Sequence, residues 1–219
     1  MPHTLIVGMT TTGKSALGKL LVPRWRRRGY SIAVLDPMKS PEWKADFIST
    51  DPDAFLVYCK SHTGLAIFVD EGAAALGKAA DYNWLTSRAR HWGHETHIIS
   101  QRPQDINTAV RGNCESLFVF NIDPRATELL ASDWNEPTLR DASRNPRLQF
   151  HFARRLADEG VRIGRVDFGK RSIVWCNNLS PSSPLTLEPS RPLPSPHSLP
   201  RCLSGAKSRR PASNILARK

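Results

Sequence analysis

The sequence predicts an α/β fold built on a mostly parallel sheet flanked by helices, and three observations predict it. Short apolar runs alternate with helix-compatible stretches, the first run opens into a glycine loop, and the third stops on two carboxylates.

The runs are residues 4–8 (TLIVG), 31–36 (SIAVLD), 65–71 (LAIFVDE), 96–100 (THIIS) and 116–122 (SLFVFNI). They are continuous rather than alternating, as in strands buried on both faces. Residues 14–27, 52–61, 82–92, 103–112 and 124–132 suit the intervening helices, and residues 149–154 and 161–176 read as a closing pair of strands.

At 219 residues the chain is long enough for one sizeable core, placed here at residues 1–178. Residues 179–219 hold eight of the 17 prolines, seven Lys or Arg and one Glu. Such a segment buries too little apolar surface to offset the entropy of ordering, so it is expected to be a disordered basic tail. Two readings of it stand: a solvated extension, or an arm adding salt-sensitive affinity for DNA, which deletion after Asn178 would separate.

Lys plus Arg outnumber Asp plus Glu by 31 to 20, and the pI is near 10.0. A polyanion is the expected partner, nucleic acid first and an anionic membrane surface second. Cys59, Cys114, Cys176 and Cys202 form no CxxC pair, which argues against zinc and a disulfide framework and for a reducing compartment. Neither a signal sequence nor a window of ~18 apolar residues is present, so the chain is expected to be soluble, with docking on a membrane protein still open.

Gly8, Met9, Thr10, Thr11, Thr12, Gly13, Lys14 and Ser15 fit GxxxxGK[ST], preceded by an apolar strand and followed from Ala16 by the helical ALGKLLV. The glycines let backbone N–H groups face phosphates, and the helix N-terminus adds positive dipole character. Lys14 is expected to reach the β and γ phosphates, and Ser15 to ligate Mg²⁺. The competing reading is a glycine turn that happens to contain Lys-Ser.

Asp70 and Glu71 end a strand where parallel sheets present their ligand sites. Asp70 is assigned to the Mg²⁺ shell and Glu71 to the attacking water. A second acid here favours hydrolysis over phosphorylation of an acceptor, although both acids could merely cap a turn. Gln101, after the strand expected between the two motif strands, is read as a sensor joining the γ-phosphate or lytic water to the rest of the assembly.

The segments Arg90-His91-Trp92-Gly93, His97 to Ile106 with its Gln101-Arg102-Pro103, and Val110-Arg111-Gly112-Asn113-Cys114 resemble the FtsK/HerA superfamily of DNA-pumping ATPases. Asp36-Pro37 is similar to an element of the same superfamily, and the resemblance spans residues 3–132. It implies a RecA-like P-loop NTPase of the ASCE type that binds ATP and Mg²⁺ and works as a homo-oligomeric ring, a hexamer. In such rings one subunit's arginine reaches its neighbour's nucleotide; Arg90 is the first candidate, Arg111 the second, with Arg102 read as a partner of the sheet edge.

Within the superfamily the chain looks most like genome-packaging ATPases of tailless, membrane-containing viruses. Double-stranded DNA and a capsid or vertex protein are the implied partners, and the host cytoplasm or the packaging vertex the implied location. A Zot-like factor exporting single-stranded phage DNA and a small-molecule kinase are the alternatives.

Three features remain open or are set aside. Trp25 with Arg26, Arg27 and Arg28 reads as a cationic helix end or a nucleic-acid grip, with the helix end favoured. Pro41-Glu42-Trp43 lines either the nucleotide base or a ring pore. His91, His94 and His97 run from helix end into strand and share no face, so no metal ligand is placed there.

Overall fold

The computed structural model describes residues 3–71, 81–155 and 160–176. Its apolar runs form the centre of a nine-stranded sheet ordered β3-β2-β4-β5-β1-β6-β7-β8-β9. Strands β1 (His3–Val7), β2 (Ser31–Leu35), β3 (Phe47–Ser49), β4 (Leu65–Val69), β5 (Glu95–Ser100) and β6 (Cys114–Val119) are parallel. Antiparallel β7 (Gln149–Arg154), β8 (Arg162–Asp167) and β9 (Ser172–Cys176) extend one edge. Strand β5 lies between β4 and β1, as expected for the strand carrying Gln101.

Alternation along β1 shows how the layers form: Leu5 and Val7 face one core, Ile6 the other. The first core is closed by α2 (Pro52–Ser61), α3 (Asp81–Ser87), α4 (Thr108–Asn113) and α5 (Pro124–Trp134). The second is closed by α1 (Lys14–Arg27), together with Trp43 and the aromatic side chains of β7 and β9. Helix α1 sits close to the sheet because Gly18 has no side chain: a Cβ there would come within 2.8 Å of the Trp43 ring and 2.9 Å of Ile99 Cδ1.

Several boundaries differ from those read in the sequence. The segment 161–176 is a hairpin rather than one strand, turning after Asp167 with Arg171 at φ 47°. The helix expected at 103–112 is a 3₁₀ turn (Pro103–Asp105) followed by α4, because the Asn107 side chain accepts from Ala109 N at 2.8 Å and starts a new helix. Likewise 82–92 divides into α3 and a 3₁₀ turn (Ala89–Trp92). Strand β3 has three residues, too few for a period to register. The segment 179–219 read as a tail lies outside the described residues, and among the described residues no helix is long and apolar enough to cross a membrane.

Candidate nucleotide site

The carboxyl ends of β1, β4 and β5 meet at one edge of the sheet, and each delivers its motif there. Residues 8–13 form the loop between β1 and α1. The loop can exist only with glycine at its two ends. A Cβ on Gly8 would lie 2.6 Å from Phe120 Cβ, and Gly13, at φ 115°, would place one 2.9 Å from Leu148 Cδ2.

Inside the loop, Thr12 is buried and its hydroxyl donates to Met9 O at 2.7 Å, while Met9, Thr10 and Thr11 are exposed, Thr11 at φ 65°. Lys14 starts α1; its ammonium donates to Met9 O at 2.8 Å and thus lies across the mouth of the loop. Burial lowers its pKa, and Glu71 and then Asp70 raise it in opposition. Ala16 is half-buried in the first turn of α1, behind the loop.

Ser15 Oγ donates to Asp70 Oδ1 at 3.1 Å, which brings the two expected metal-binding oxygens together. Burial raises the Asp70 pKa, opposed by the Ser15 hydroxyl and the Glu71 amide that donate to the carboxylate. A hydroxyl and a carboxylate are the hard oxygen donors that Mg²⁺ takes, so this pair fits the ion. Among the described residues no group of three or more His, Cys, Asp or Glu gathers as a metal site, so a cation here would draw its remaining ligands from phosphate and water.

Glu71 sits at φ 51°, a left-handed conformation that is costly for a residue with a side chain and that gathers at functional sites. Gln101 joins the parts. Its Nε2 donates to Glu71 Oε1 at 2.8 Å and its Oε1 accepts from Thr10 Oγ1 at 3.1 Å. One amide therefore couples the phosphate loop to the second acid, in the place the sequence assigned to a sensor.

The arginines separate by burial. Arg111 is 6 % exposed; it pairs with Asp133 at 2.8 Å and donates to the carbonyls of Pro103 and Ile106. Its guanidinium is used within its own subunit, which corrects its candidacy for reaching a neighbour. Arg90 is exposed, precedes β5 at the sheet end opposite the phosphate loop, and its side chain has no ion pair among the described residues. The Arg102 side chain is exposed, and only its backbone meets Ser100.

Trp43 is fully buried, with its indole donating to Asp36 Oδ2 at 3.0 Å, so it lines neither a base site nor a pore. Asp36 also accepts from Met38 N and Ser40 N, both at 2.9 Å, and so shapes the loop after β2. Trp25 is buried against Tyr30 and His97 and cannot stack on bases. His94 is a core residue whose Nδ1 accepts from Leu65 N at 3.0 Å.

Sequence reading missed the support behind the loop. Met9 N donates to Asn121 O at 2.8 Å, Leu148 N donates to Thr12 O at 3.0 Å, and the Asn121 amide is tied to the carbonyls of Ser143 and Asn145. The one signal for it is a polar Asn121 ending an apolar strand beside the loop.

Fold and site together are those of a P-loop NTPase. The solved structures similar to this chain agree. The genome packaging NTPase B204 from Sulfolobus turreted icosahedral virus 2, in complex with AMPPCP, superposes with a TM-score of 0.59 at 14% identity, covering 81% of this chain and 98% of that one. The pCW3 conjugation coupling protein TcpA gives 0.51 at 17% identity, covering 73% and 58%. The cytoplasmic domain of the Thermomonospora curvata type VII secretion ATPase EccC gives 0.53 at 11%, covering 83% and 26%. These likenesses show the fold, in keeping with the FtsK/HerA resemblance of the motifs. No family model and no curated protein matches the sequence.

Proposed function

We propose that the chain is an ATP-driven DNA translocase, a ring-forming ATPase that packages viral double-stranded DNA into a preformed capsid. The observation that carries the hydrolytic part is the Thr10–Gln101–Glu71 chain, which ties a second acid to the phosphate loop. Support for the DNA part comes from the net charge of +11 and from a fold shared over nearly the whole of a viral genome packaging NTPase.

In this reading the loop amides and Lys14 hold the ATP phosphates. Ser15 and Asp70 hold Mg²⁺, which neutralises charge developing on the phosphates when bound. Glu71 accepts a hydrogen bond from the attacking water and orients it, and Gln101 keeps Glu71 in place. Arg90 acts from a neighbouring subunit in the ring, taken as a hexamer. Residues 179–219, with seven Lys or Arg against one Glu, add salt-sensitive affinity for DNA. The ring works in the host cytoplasm and docks on a capsid or vertex protein, with a membrane protein as a further anchor.

The test is steady-state ATP hydrolysis with no DNA, with duplex and with single strands. Strong stimulation by duplex is expected. Stimulation by single strands alone would replace packaging with strand export, and indifference to both would remove the translocase reading.

A further inference from the structure

Helix α1 runs from the phosphate loop to the far end of the sheet; its last turn carries Arg24, Arg26 and Arg27, Arg28 caps it, and of these Arg26 is taken up by Asp46 at 3.1 Å. A helix C-terminus attracts cations, which explains the arginines on this one element. It does not explain Arg154 on another. Strand β7 runs antiparallel to β6 and ends at Arg154, which pairs with Ser116 near the start of β6 and so lies at the same far end. Phe150 and Phe152 face the α1 core, and alternation puts Arg154 on that face as well.

The four charges are close enough to oppose one another: after burial, the influences lowering the Arg24 pKa are Arg28, Arg154 and Arg27. Among the described residues none of the four forms an ion pair, and Arg28 is held only over the Trp25 ring, 5.1 Å from its centre. The Glu95 carboxyl is fully buried beneath this end of the helix, and burial pushes its pKa up to about 8 although Arg28 pulls it down. Arg162 on β8 lies on the same face, stacked on Trp175.

We propose that Arg24, Arg27, Arg28 and Arg154 form a surface that grips the phosphate backbone of duplex DNA, on the opposite end of the subunit from the nucleotide. Like charges gathered from two elements and left without ion pairs among the described residues are stabilised by a polyanion, each contact releasing condensed counterions. Stable docking on a membrane takes a second signal beside charge, such as apolar side chains that insert. Among the described residues, the exposed large ones lie elsewhere: Met9, Met38 and Phe168 at the nucleotide end, Val57 and Trp92 on the other layer, and Val174 facing away from α1. A duplex phosphate backbone asks for charge alone.

The proposal rests on DNA being the substrate of the motor, and its test separates the two. Duplex affinity is measured against salt for the full chain, for Arg24→Gln/Arg27→Gln/Arg154→Gln, for the same three changed to Lys, and for Arg125→Gln/Arg144→Gln/Arg171→Gln. With about 0.9 of slope per phosphate contact, the first triple should flatten the log–log dependence by ~2.7. The Lys triple should keep the slope, the control triple should change it far less, and DNA-free ATP hydrolysis should be unchanged in all. A wild-type slope in the first triple overturns the surface and leaves the translocase standing, and equal flattening by the control triple overturns it as a mere effect of net charge. Loss of binding to phosphatidylserine vesicles with unchanged DNA binding would reassign the patch to a membrane. Failure of the unmodified chain to bind duplex at all would overturn both readings.

Discussion

Replacing Glu71 by Gln isolates the proposed base from the rest of the site. The amide matches the carboxylate in size, and the Gln101 Nε2 that reaches Glu71 Oε1 at 2.8 Å meets a carbonyl oxygen in the same place. Basicity and charge are what disappear. A positioned general base contributes about 10²–10⁴-fold, or ~3–5 kcal/mol of barrier at ~1.4 kcal/mol per decade. The lost charge has a second effect, because Glu71 is the first of the two carboxylates that hold up the Lys14 pKa against burial. Without it, Lys14 gives up its proton at a lower pH than in the wild type. The assay is phosphate release at saturating ATP, beside equilibrium binding of a fluorescent ATP analogue across pH. Turnover should fall at least ~10²-fold while binding at neutral pH persists. The alkaline loss of binding should move to lower pH. Turnover reduced by less than about tenfold, below the floor for a base, would refute the assignment.

Three further outcomes concern the arginines and the buried titratable groups. Arg111→Ala strands Asp133 and two carbonyls and should cost about 3–5 kcal/mol, read as a drop in melting temperature, whereas Arg90→Ala should leave melting unchanged. If Arg90 serves a neighbour, mixing Arg90→Ala subunits into wild-type rings should depress hydrolysis more than in proportion, and a strictly proportional fall would exclude the role. Stability should also peak near pH ~6.5, the ordinary histidine value. Below it, buried His97 and His3, with pKa lowered mainly by burial to about 3 and about 4, stay neutral while the unfolded chain takes up protons, so stability falls as pH falls. Above it, Glu95 stays protonated to about 8 while the unfolded chain releases its proton, so stability falls as pH rises, by ~1.4 kcal/mol per unit for one group. Glu95→Gln should flatten that alkaline limb in thermal melts, and an unchanged limb would refute the buried acid as its cause.

The parts of the site written as contiguous residues are legible in the sequence alone. The loop from Gly8 to Ser15, the pair Asp70 and Glu71, and Gln101 each end an apolar run, and a parallel sheet brings such ends together. What stays hidden depends on packing between distant segments. Sequence merely sets Arg90 ahead of Arg111 as a residue for the neighbour, and it is the Asp133 pair and two carbonyls that make Arg111 internal. Trp43 follows a polar loop and reads as exposed, yet Gly18 opens the space that buries it. Residues 103–112 have helical character throughout, and the competition between Asn107 as a cap and as an interior residue divides them.

The contact between Leu148 and the phosphate loop has an evolutionary reading. The stretch of chain from β1 to β6 already includes every motif residue, so the antiparallel extension looks like a dispensable ornament. It is not, because Leu148 N holds Thr12 O and its side chain fills the space that Gly13 leaves open. A lineage that shortened or replaced the stretch from Asn145 to β7 would have to redesign the loop in the same step. The two ends of the domain are therefore inherited together, and a chimaera joined between β6 and β7 would begin life with an unbraced nucleotide pocket.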